Sequence, residues 1–244
     1  MNCRGCLKSL SVQLIDLGAA PPSNAFNATQ DAPEQHYPLR ALVCMQCGLA
    51  QTDITLFKLN HDELFTKDYP YYSSMSAQYV EHARQYVEKM TRELNLGPDS
   101  LTVEVGCNDG YLLKHMTTPC YGFEPTYTGR LARDKGIAVF PNFFTESVAR
   151  SVAHNRKADL MICNNVLAHV PDINDFVRGF AALLKPDGVA TFEFPHLLSL
   201  IRECQFDQVY GEHYSYLSLT AVITIFKRAG LAVFNVEKLS THGG

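Results

Sequence analysis

The segment 101–110, LTVEVGCNDG, joins an apolar strand to a turn that is bounded by Gly106 and Gly110. An amphipathic stretch with helical character, YLLKHM, follows directly. A strand, a small-residue turn and a helix in this order are typical of open α/β sheets, in which ligands bind beyond the carboxyl ends of the strands. The spacing is E-x-G-x-x-x-G, not the G-x-G-x-x-G of turns that cradle a pyrophosphate. We therefore predict a ligand-binding turn whose ligand lacks a pyrophosphate.

Strand-like and helix-like stretches alternate from residue 101 onward, which predicts an α/β fold with a parallel, Rossmann-like sheet. The predicted strands are 101–105, 120–123, 138–140, 160–163, 189–194 and 231–236. The predicted helices between them are 111–116, 130–135, 143–155, 173–184 and 219–228. The sixth strand is expected to form a hairpin with a seventh, and the sequence ends at Gly244, where that hairpin would turn.

Polar residues follow several of these strands and complete a pattern similar to that of class I S-adenosylmethionine-dependent methyltransferases. Glu124, about twenty residues beyond the first strand, stands where such folds receive ribose hydroxyls. Asn142 is expected to border the adenine, and Asn164 to meet the methionine end. The strings NNVLAHVPD and LLKPDG, in this order, also fit the class. The alternative is that these residues are ordinary polar ends of strands.

The turn itself supplies the remaining candidates for the cofactor. S-adenosylmethionine carries an amine that an acidic side chain, Glu104 or Asp109, can hold. Gly106 and Gly110 are expected to let the backbone approach the ligand, because they lack side chains that would collide with it. Asn108 belongs to the same turn and is included among the cofactor-binding residues.

Three segments are predicted along the chain. Residues 1–60 form a cysteine-bounded, loop-rich module with a Pro/Asn/Ala-rich middle. Residues 61–97 hold a linker and a helix that begins at a cap, Ser73 or Ser74, and runs to about Leu94. Residues 98–244 form the cofactor-binding domain. The apolar stripe predicted for the helix consists of Met75, Tyr79, Ala83, Tyr86, Val87, Met90 and Leu94.

Two Cys-x-x-Cys pairs, Cys3 with Cys6 and Cys44 with Cys47, lie in the first segment. Four thiolates in a tetrahedral array suit zinc and leave no open coordination position, so the predicted role of the metal is structural. The alternatives are a redox pair or four unrelated buried cysteines. A redox pair is expected to open a helix after a strand, and neither pair clearly does so.

The string 208–218, QVYGEHYSYLS, follows the fifth predicted strand, where acceptor substrates bind in this fold. Tyr210, Glu212 and His213 bring together a phenol, a carboxylate and an imidazole, which can remove a proton and stabilise the resulting anion. His169 and His196 are weaker candidates near the same rim. The alternative is an ordinary turn with aromatic packing.

The charge and hydropathy of the sequence argue against binding to nucleic acid, secretion and insertion into a membrane. The formal net charge is −4, and no cluster of Lys and Arg suggests binding to nucleic acid. The N-terminus lacks the long apolar core of a signal peptide, and no stretch approaches a membrane span. A cytoplasmic location is expected by default.

Several strings together resemble the nucleotide-sugar C-methyltransferases, which methylate C3 of a dTDP-linked 4-keto-6-deoxysugar. The strings that carry this resemblance are the paired cysteine knuckles, YYSSMS, VEVGCNDGYLLK, GFEP, NNVLAHVPDINDFV, FEFPHLLSLI, FDQVYGEHYSYLSL and THGG. The resemblance spans essentially the whole chain. It implies a nucleotide-sugar substrate, enolate chemistry, and His213 as the base with Tyr210 and Glu212 assisting.

Members of that family usually continue beyond the His-Gly-Gly motif into a C-terminal domain that helps to enclose the sugar nucleotide, whereas this sequence ends at the motif. Two rival hypotheses remain at this point. One is an RNA methyltransferase with a zinc ribbon, which the acidic charge disfavours. The other is a truncated, non-catalytic remnant that binds the cofactor or a partner protein.

Overall fold

The structure, a computed structural model, describes residues 1–24, 26–27, 29–53, 65 and 69–239. By its internal contacts the chain forms two compact units. The first comprises Met1–Leu64, Asn165–Val177 and Phe194–Gly244, and the second comprises Phe65–Asn164 and Arg178–Glu193. Both units are assembled from separate stretches of sequence, unlike the three contiguous segments predicted above.

The described residues form nine strands and six α-helices. The strands are β1 (Val12–Ala20), β2 (Tyr37–Val43), β3 (Ala50–Thr52), β4 (Thr102–Val105), β5 (Cys120–Phe123), β6 (Val139–Phe140), β7 (Ala158–Asn164), β8 (Leu184–Glu193) and β9 (Ser215–Tyr216). The helices are α1 (Ala77–Glu93), α2 (Tyr127–Asp134), α3 (Glu146–Ala153), α4 (Ile173–Leu183), α5 (Leu197–Arg202) and α6 (Leu219–Arg228). In this described part of the chain, no helix combines the length and apolarity needed to cross a membrane.

The second unit is built on a parallel five-stranded sheet with the order β6-β5-β4-β7-β8. All four residues of β4 are buried, as expected for a parallel strand that is covered on both faces. The strand order reverses beside β4, so its carboxyl end lies at the switch point where such sheets bind ligands. The predicted α/β class I arrangement is confirmed, with five of the predicted strands in place.

Helix α1 begins one turn later than predicted. Its cap is Ser76, whose Oγ accepts a hydrogen bond from the backbone N–H of Tyr79 at 3.2 Å. Ser73 and Ser74 lie instead in a short 3₁₀ turn, and the Ser74 hydroxyl donates to Asp109. Met75 therefore precedes the helix and is 83% exposed, so its assignment to the apolar stripe was wrong. The buried stripe consists of Tyr79, Ala83, Val87 and Met90.

Two other predicted elements of the second unit differ in the structure. The stretch 111–116 forms only a 3₁₀ turn, Leu113–His115, in place of a helix. The turn predicted at 183–188 is absorbed into β8. There the pairing passes from Ala158↔Leu184 directly to Leu160↔Val189, so the residues between Leu184 and Val189 bulge out of the ladder.

The first unit contains an antiparallel sheet with the order β1-β2-β3-β9. Its N-terminal part is thus richer in strands than the loop-rich module predicted. A small core on this sheet consists of Ala41, Ala50, Leu197, Leu200 and Tyr216. Helix α6 is capped by Ser218, whose Oγ accepts from the N–H of Ala221 at 3.2 Å.

The strand predicted at 231–236 does not form. Those residues have no regular secondary structure and belong to neither sheet, and Phe234 and Val236 are 78% and 60% exposed. The alternating apolar pattern alone was therefore misleading, because a strand also needs a partner to satisfy its backbone groups. The THGG motif at the end of the sequence lies outside the described residues.

Candidate functional site

The four predicted zinc ligands lie together in the first unit. The sulfur atoms of Cys3, Cys6, Cys44 and Cys47 are all within 4.8 Å of one another, and none forms a disulfide. The Sγ atoms of Cys3 and Cys47 are 3.5 Å apart, as are those of Cys6 and Cys44. Zn–S bonds of about 2.3 Å in a tetrahedron place sulfurs about 3.8 Å apart. The cluster therefore fits one zinc ion with four thiolate ligands.

The two cysteine knuckles share one backbone geometry. In the second knuckle, which connects β2 to β3, the N–H of Gly48 donates to the carbonyl of Cys44 at 2.8 Å, and Gly48 has a φ of 74°. In the first knuckle the N–H of Leu7 donates to the carbonyl of Cys3 at 2.8 Å, and Leu7 has a φ of 66°. Each knuckle thus closes four residues after its first cysteine with a left-handed residue. This common turn explains why both pairs present their sulfurs in the same way.

The predicted cofactor turn follows β4 in the second unit and is unusually rich in left-handed residues. Gly106, Asn108 and Gly110 have φ values of 75°, 50° and 80°. A Cβ on Gly110 would collide with Cδ1 of Ile137. The positive φ favours glycine at position 110 whatever lies beside it, and the approach of a ligand to Gly110 stays a prediction.

Glu124 lies just beyond β5 and is 6% exposed. Its Oε2 accepts from the N–H of Asn108 and its Oε1 from the N–H of Thr126, both at 3.0 Å. Burial raises the pKa of this carboxyl, and the Thr126 hydroxyl together with the two N–H groups opposes that rise. Each carboxylate oxygen keeps a further lone pair. The arrangement holds the carboxylate rigidly and leaves it able to accept two neighbouring hydroxyls.

Glu104 and Asp109 provide unused acceptors beside this turn. Glu104 is fully buried, and neither of its carboxylate oxygens accepts a well-formed hydrogen bond from the described residues. Burial and the charge of Glu124 raise the pKa of Glu104 well above its ordinary value, and the Tyr111 hydroxyl opposes this. Asp109 accepts through Oδ2 from Ser74 and from Lys135 Nζ at 3.5 Å, and its Oδ1 has no described partner. Orphaned acceptors of this kind fit a ligand that carries an ammonium group.

The three predicted asparagines have different surroundings. The Asn108 amide is engaged with the chain itself: Oδ1 accepts from the N–H of Ser73, and Nδ2 donates to the Tyr71 carbonyl, both at 3.0 Å. Asn164 ends β7 and is buried against the Tyr111 phenol. Asn142 is exposed in the loop after β6.

The contacts of the segment 71–74 with the turn were not predicted from the sequence. The serines of this segment were expected to cap a helix, yet Ser73 and Ser74 bond Asn108 and Asp109. Lys135, which donates to Asp109, was missed as well. The available signal was the Tyr-Tyr-Ser-Ser cluster itself, a polar run too long for a single cap.

Tyr210 and His213 form a close pair in the first unit. The Tyr210 hydroxyl lies 2.6 Å from Nε2 of His213, and Nδ1 of His213 lies 2.8 Å from the Gln208 carbonyl. A carbonyl only accepts, so Nδ1 carries the hydrogen and Nε2 accepts the hydroxyl proton of Tyr210. Burial, with a smaller effect of His169, lowers the pKa of His213 to about 3. The ring is therefore neutral at neutral pH, and its unprotonated Nε2 faces the hydroxyl of Tyr210.

Glu212 and His169 surround this pair in a different way from that predicted. Glu212 is 1% exposed, and its carboxylate accepts from Ser23 Oγ and from the N–H of Asn24, both at 3.1 Å. It therefore binds the N-terminal segment. The rings of His169 and His213 are 4.7 Å apart, and Nδ1 of His169 lies 2.9 Å from the Glu212 carbonyl.

His196 has a structural environment. Its Nε2 accepts from the N–H of Leu219 at 3.3 Å, at the start of α6, and burial lowers its pKa. His196 therefore supports the start of α6.

Comparison with known families identifies the larger part of the chain. Residues 79–236 match the family model described as a methyltransferase domain. The chain belongs to this methyltransferase family. A second model, for a zinc binding domain, matches residues 3–65 of the methyltransferase, a range that contains all four clustered cysteines.

Two curated relatives and one solved structure illustrate the likeness. The C-methyltransferase NovU from Streptomyces niveus is 31% identical over 250 residues, which cover 100% of this chain and 59% of NovU. A ubiquinone biosynthesis O-methyltransferase from Escherichia fergusonii is 36% identical over 99 residues, covering 37% of this chain and 40% of the relative. The methyltransferase thus spans less than two thirds of either relative.

The magnesium protoporphyrin IX methyltransferase of Synechocystis PCC 6803, solved with bound SAH, shares the fold. Its TM-score is 0.51 at 18% identity, and the alignment covers 67% of this chain and 78% of the other. The prediction of a class I, S-adenosylmethionine-dependent methyltransferase with a zinc module is confirmed at the level of family and fold.

Proposed function

We propose that this methyltransferase transfers a methyl group to C3 of a nucleotide-linked 4-keto-6-deoxysugar through an enolate. The observation that carries the proposal is the buried Tyr210–His213 pair, because Nε2 of the neutral imidazole accepts the phenol hydrogen bond and can take up the phenol proton as the phenol oxygen receives one from carbon. The match of the whole given sequence to 59% of a relative named as a C-methyltransferase supports carbon as the acceptor atom.

The proposed proton path follows from the hydrogen bonds. Nε2 of His213 is already occupied by the Tyr210 hydroxyl, so the C3 proton passes to the Tyr210 oxygen while the phenol proton moves to Nε2. The C4 ketone accepts the electron pair and becomes an enolate oxygen. The Gln208 carbonyl holds Nδ1–H and stabilises the imidazolium that forms. S-adenosylmethionine, when bound, would supply the electrophilic methyl group: C3 would form the new carbon–carbon bond as the S–CH₃ bond breaks, S-adenosylhomocysteine would leave, and the C4 ketone would re-form. His213 then loses the proton to solvent.

The roles proposed for the other polar residues divide in two. Glu124 accepts the ribose hydroxyls, and Glu104 or Asp109 accepts the methionine amine, because these carboxylates have free lone pairs. Gly106, Gly110 and Asn108 shape the turn. Glu212 and His169 position the segment that carries His213. For Asn164 and Asn142, contacts with the cofactor remain predictions.

Replacing Glu124 with Ala is expected to weaken the binding of S-adenosylhomocysteine by about 10- to 100-fold, since hydrogen bonds to a charged group are each worth about 1.5–3 kcal/mol. Isothermal titration calorimetry measures the Kd. A matched control is Glu146→Ala, because Glu146 lies on α3 of the same unit and pairs with surface arginines. Equal affinity of Glu124→Ala and the wild type would refute the ribose role.

The enolate step can be tested apart from methyl transfer. In D₂O with S-adenosylhomocysteine and a dTDP-4-keto-6-deoxyhexose, the protein is expected to exchange the C3 proton for deuterium, which proton NMR follows. With S-adenosylmethionine, the product is expected to carry its new methyl group on C3. Methylation of a hydroxyl without C3 exchange would instead indicate an O-methyltransferase.

The proposed partner is therefore a nucleotide-sugar. Binding to nucleic acid is not proposed, because the formal net charge is −4. The location that we propose is the cytoplasm, whose reducing conditions keep four thiols available for a metal.

A further inference from the structure

We propose that Arg4 is a positioning residue, which ties the first cysteine knuckle to the backbone that carries His213. The effect expected on turnover rests on the role proposed for His213. All the residues involved belong to the first unit.

Arg4 stands between Cys3 and Cys6 in the first knuckle. Its guanidinium donates from Nη1 to the Thr52 carbonyl at 3.0 Å, and from Nη2 to the carbonyl of Tyr214. Its backbone N–H donates to Oε1 of Gln51 at 2.8 Å. A single residue of the knuckle therefore bridges the end of β3 and the residue that directly follows His213.

The two strands that Arg4 bridges are themselves joined around His213. The N–H of Thr52 donates to the Tyr214 carbonyl at 3.1 Å, and the Thr52 hydroxyl lies 3.3 Å from the carbonyl of His213. Immediately beyond, Gln51 pairs with Ser215 as β3 meets β9. The backbone of His213 is thus fixed from one side, by groups that begin at the cysteine knuckle.

The chemistry of the guanidinium suits this task better than that of an ammonium. Arg presents donors in a rigid planar fork, and two of them reach two carbonyls at once, whereas Lys acts as a point charge on a flexible stem. Four thiolates around a zinc ion would also leave a net negative charge, which the cation beside them offsets. The side chain is therefore held at the knuckle by charge and at the two carbonyls by geometry.

A purely structural role is the rival explanation, and Arg228 provides the matched control. Arg228 reaches the same knuckle from α6, where Nη1 donates to the Gly5 carbonyl at 2.8 Å. In the described part of the chain it does not bond residues 213 or 214. Replacing either arginine with Lys disturbs the knuckle, but only Arg4→Lys removes a donor from the His213 segment.

The experiment compares Arg4→Lys, Arg228→Lys and Thr52→Val with the wild type. Zinc content is measured by plasma mass spectrometry, and the Kd for S-adenosylhomocysteine by calorimetry. The His213 ring is followed by long-range ¹H–¹⁵N NMR, with its signals assigned by their loss in His213→Gln. Turnover is measured with the dTDP-4-keto-6-deoxyhexose.

We expect Arg4→Lys to keep its zinc and its affinity for S-adenosylhomocysteine, to shift the His213 signals, and to lower kcat by about 10- to 100-fold, because small displacements of a catalytic group are costly. Thr52→Val is expected to act in the same direction by about 2- to 10-fold, as the loss of one hydrogen-bonding hydroxyl allows. Arg228→Lys is expected to leave the His213 signals and kcat unchanged.

The outcomes separate this proposal from the proposed function. Unshifted His213 signals in both Arg4→Lys and Thr52→Val would overturn the positioning role, whatever happens to kcat. Shifted signals with an unchanged kcat would instead contradict the role of His213 as base and leave the Arg4 contact standing. If Arg4→Lys loses its zinc or fails to fold, Thr52→Val decides: no shift in that variant overturns the proposal.

Discussion

His213→Gln is expected to lower kcat by about 10²- to 10⁴-fold, the usual contribution of a positioned acid–base group. The residues proposed for the cofactor all belong to the second unit, so the Kd for S-adenosylhomocysteine is expected to stay within about twofold of the wild type, a change below the value of one hydrogen bond. Tyr210→Phe is expected to cause a loss of similar order, since the proposed proton path passes through the phenol oxygen.

The pH dependence provides a second readout of the same prediction. Burial lowers the pKa of His213 to about 3, so solvent protonates the ring only in strongly acidic solution. The profile of kcat/KM is therefore expected to lack an acidic limb from His213 near the ordinary histidine value of about 6.5. The ring gains its proton only from the substrate, when the enolate charge that forms stabilises the imidazolium.

A matched control for this experiment is His196→Gln. His196 lies in the same unit and accepts a backbone hydrogen bond, but it stands outside the Tyr210–His213 pair. Its replacement is expected to change kcat by less than about threefold, an effect no larger than the net value of one hydrogen bond. Full activity of His213→Gln, with C3 exchange retained, would rule out His213 as the base.

Removal of zinc is expected to abolish turnover and to unfold the first unit. Structural zinc sites contribute an apparent free energy of about 10–16 kcal/mol in small zinc-binding peptides, so little of the cysteine module is expected to persist without the metal. Differential scanning calorimetry of the chelated protein is expected to show a drop in Tm of more than about 10 °C, several times the shift of about 2–4 °C per kcal/mol for a chain of this size.

Two cysteine substitutions in the first unit test whether this loss of stability depends on the zinc ligands. Cys44→Ser is expected to reproduce the loss of metal and the fall in Tm, because the hydroxyl does not replace a thiolate on zinc. Cys204→Ser changes an exposed cysteine outside the cluster and is expected to keep both. An unchanged Tm after complete removal of the metal would show that the four cysteines do not support the fold through zinc.

Local patterns in the sequence predicted the parts of the molecule that local forces build. The buried strand β4, the left-handed turn from Gly106 to Gly110, and the acid after β5 all follow from residue type and spacing. The four cysteines were found in the same way, because each knuckle is a self-contained turn. The assignments of these residues to the cofactor and to zinc remain predictions.

Local sequence patterns did not predict contacts between residues that are far apart in the sequence. Nothing local indicates that Glu212 would bind Ser23 and Asn24, or that Arg4 would reach Tyr214. The helix cap was misplaced for the same reason: Ser74 is a competent cap, but Asp109, 35 residues further along, takes its hydroxyl. At 231–236 the alternation of apolar residues was present, but no described strand pairs with it.

The strands of the antiparallel sheet are synthesised far apart in time, which affects how the sheet can form on the ribosome. Strand β3 ends at Thr52, yet its partner β9 begins only at Ser215, so the ribosome makes most of the protein before that pair can form. Until then the free edge of β3 exposes unpaired backbone groups, a template for wrong pairing. All four cysteines of the cluster lie within the first 47 residues, so the nascent chain can acquire its metal early. Strand β9 is thus expected to complete a sheet whose N-terminal strands the bound metal can organise first.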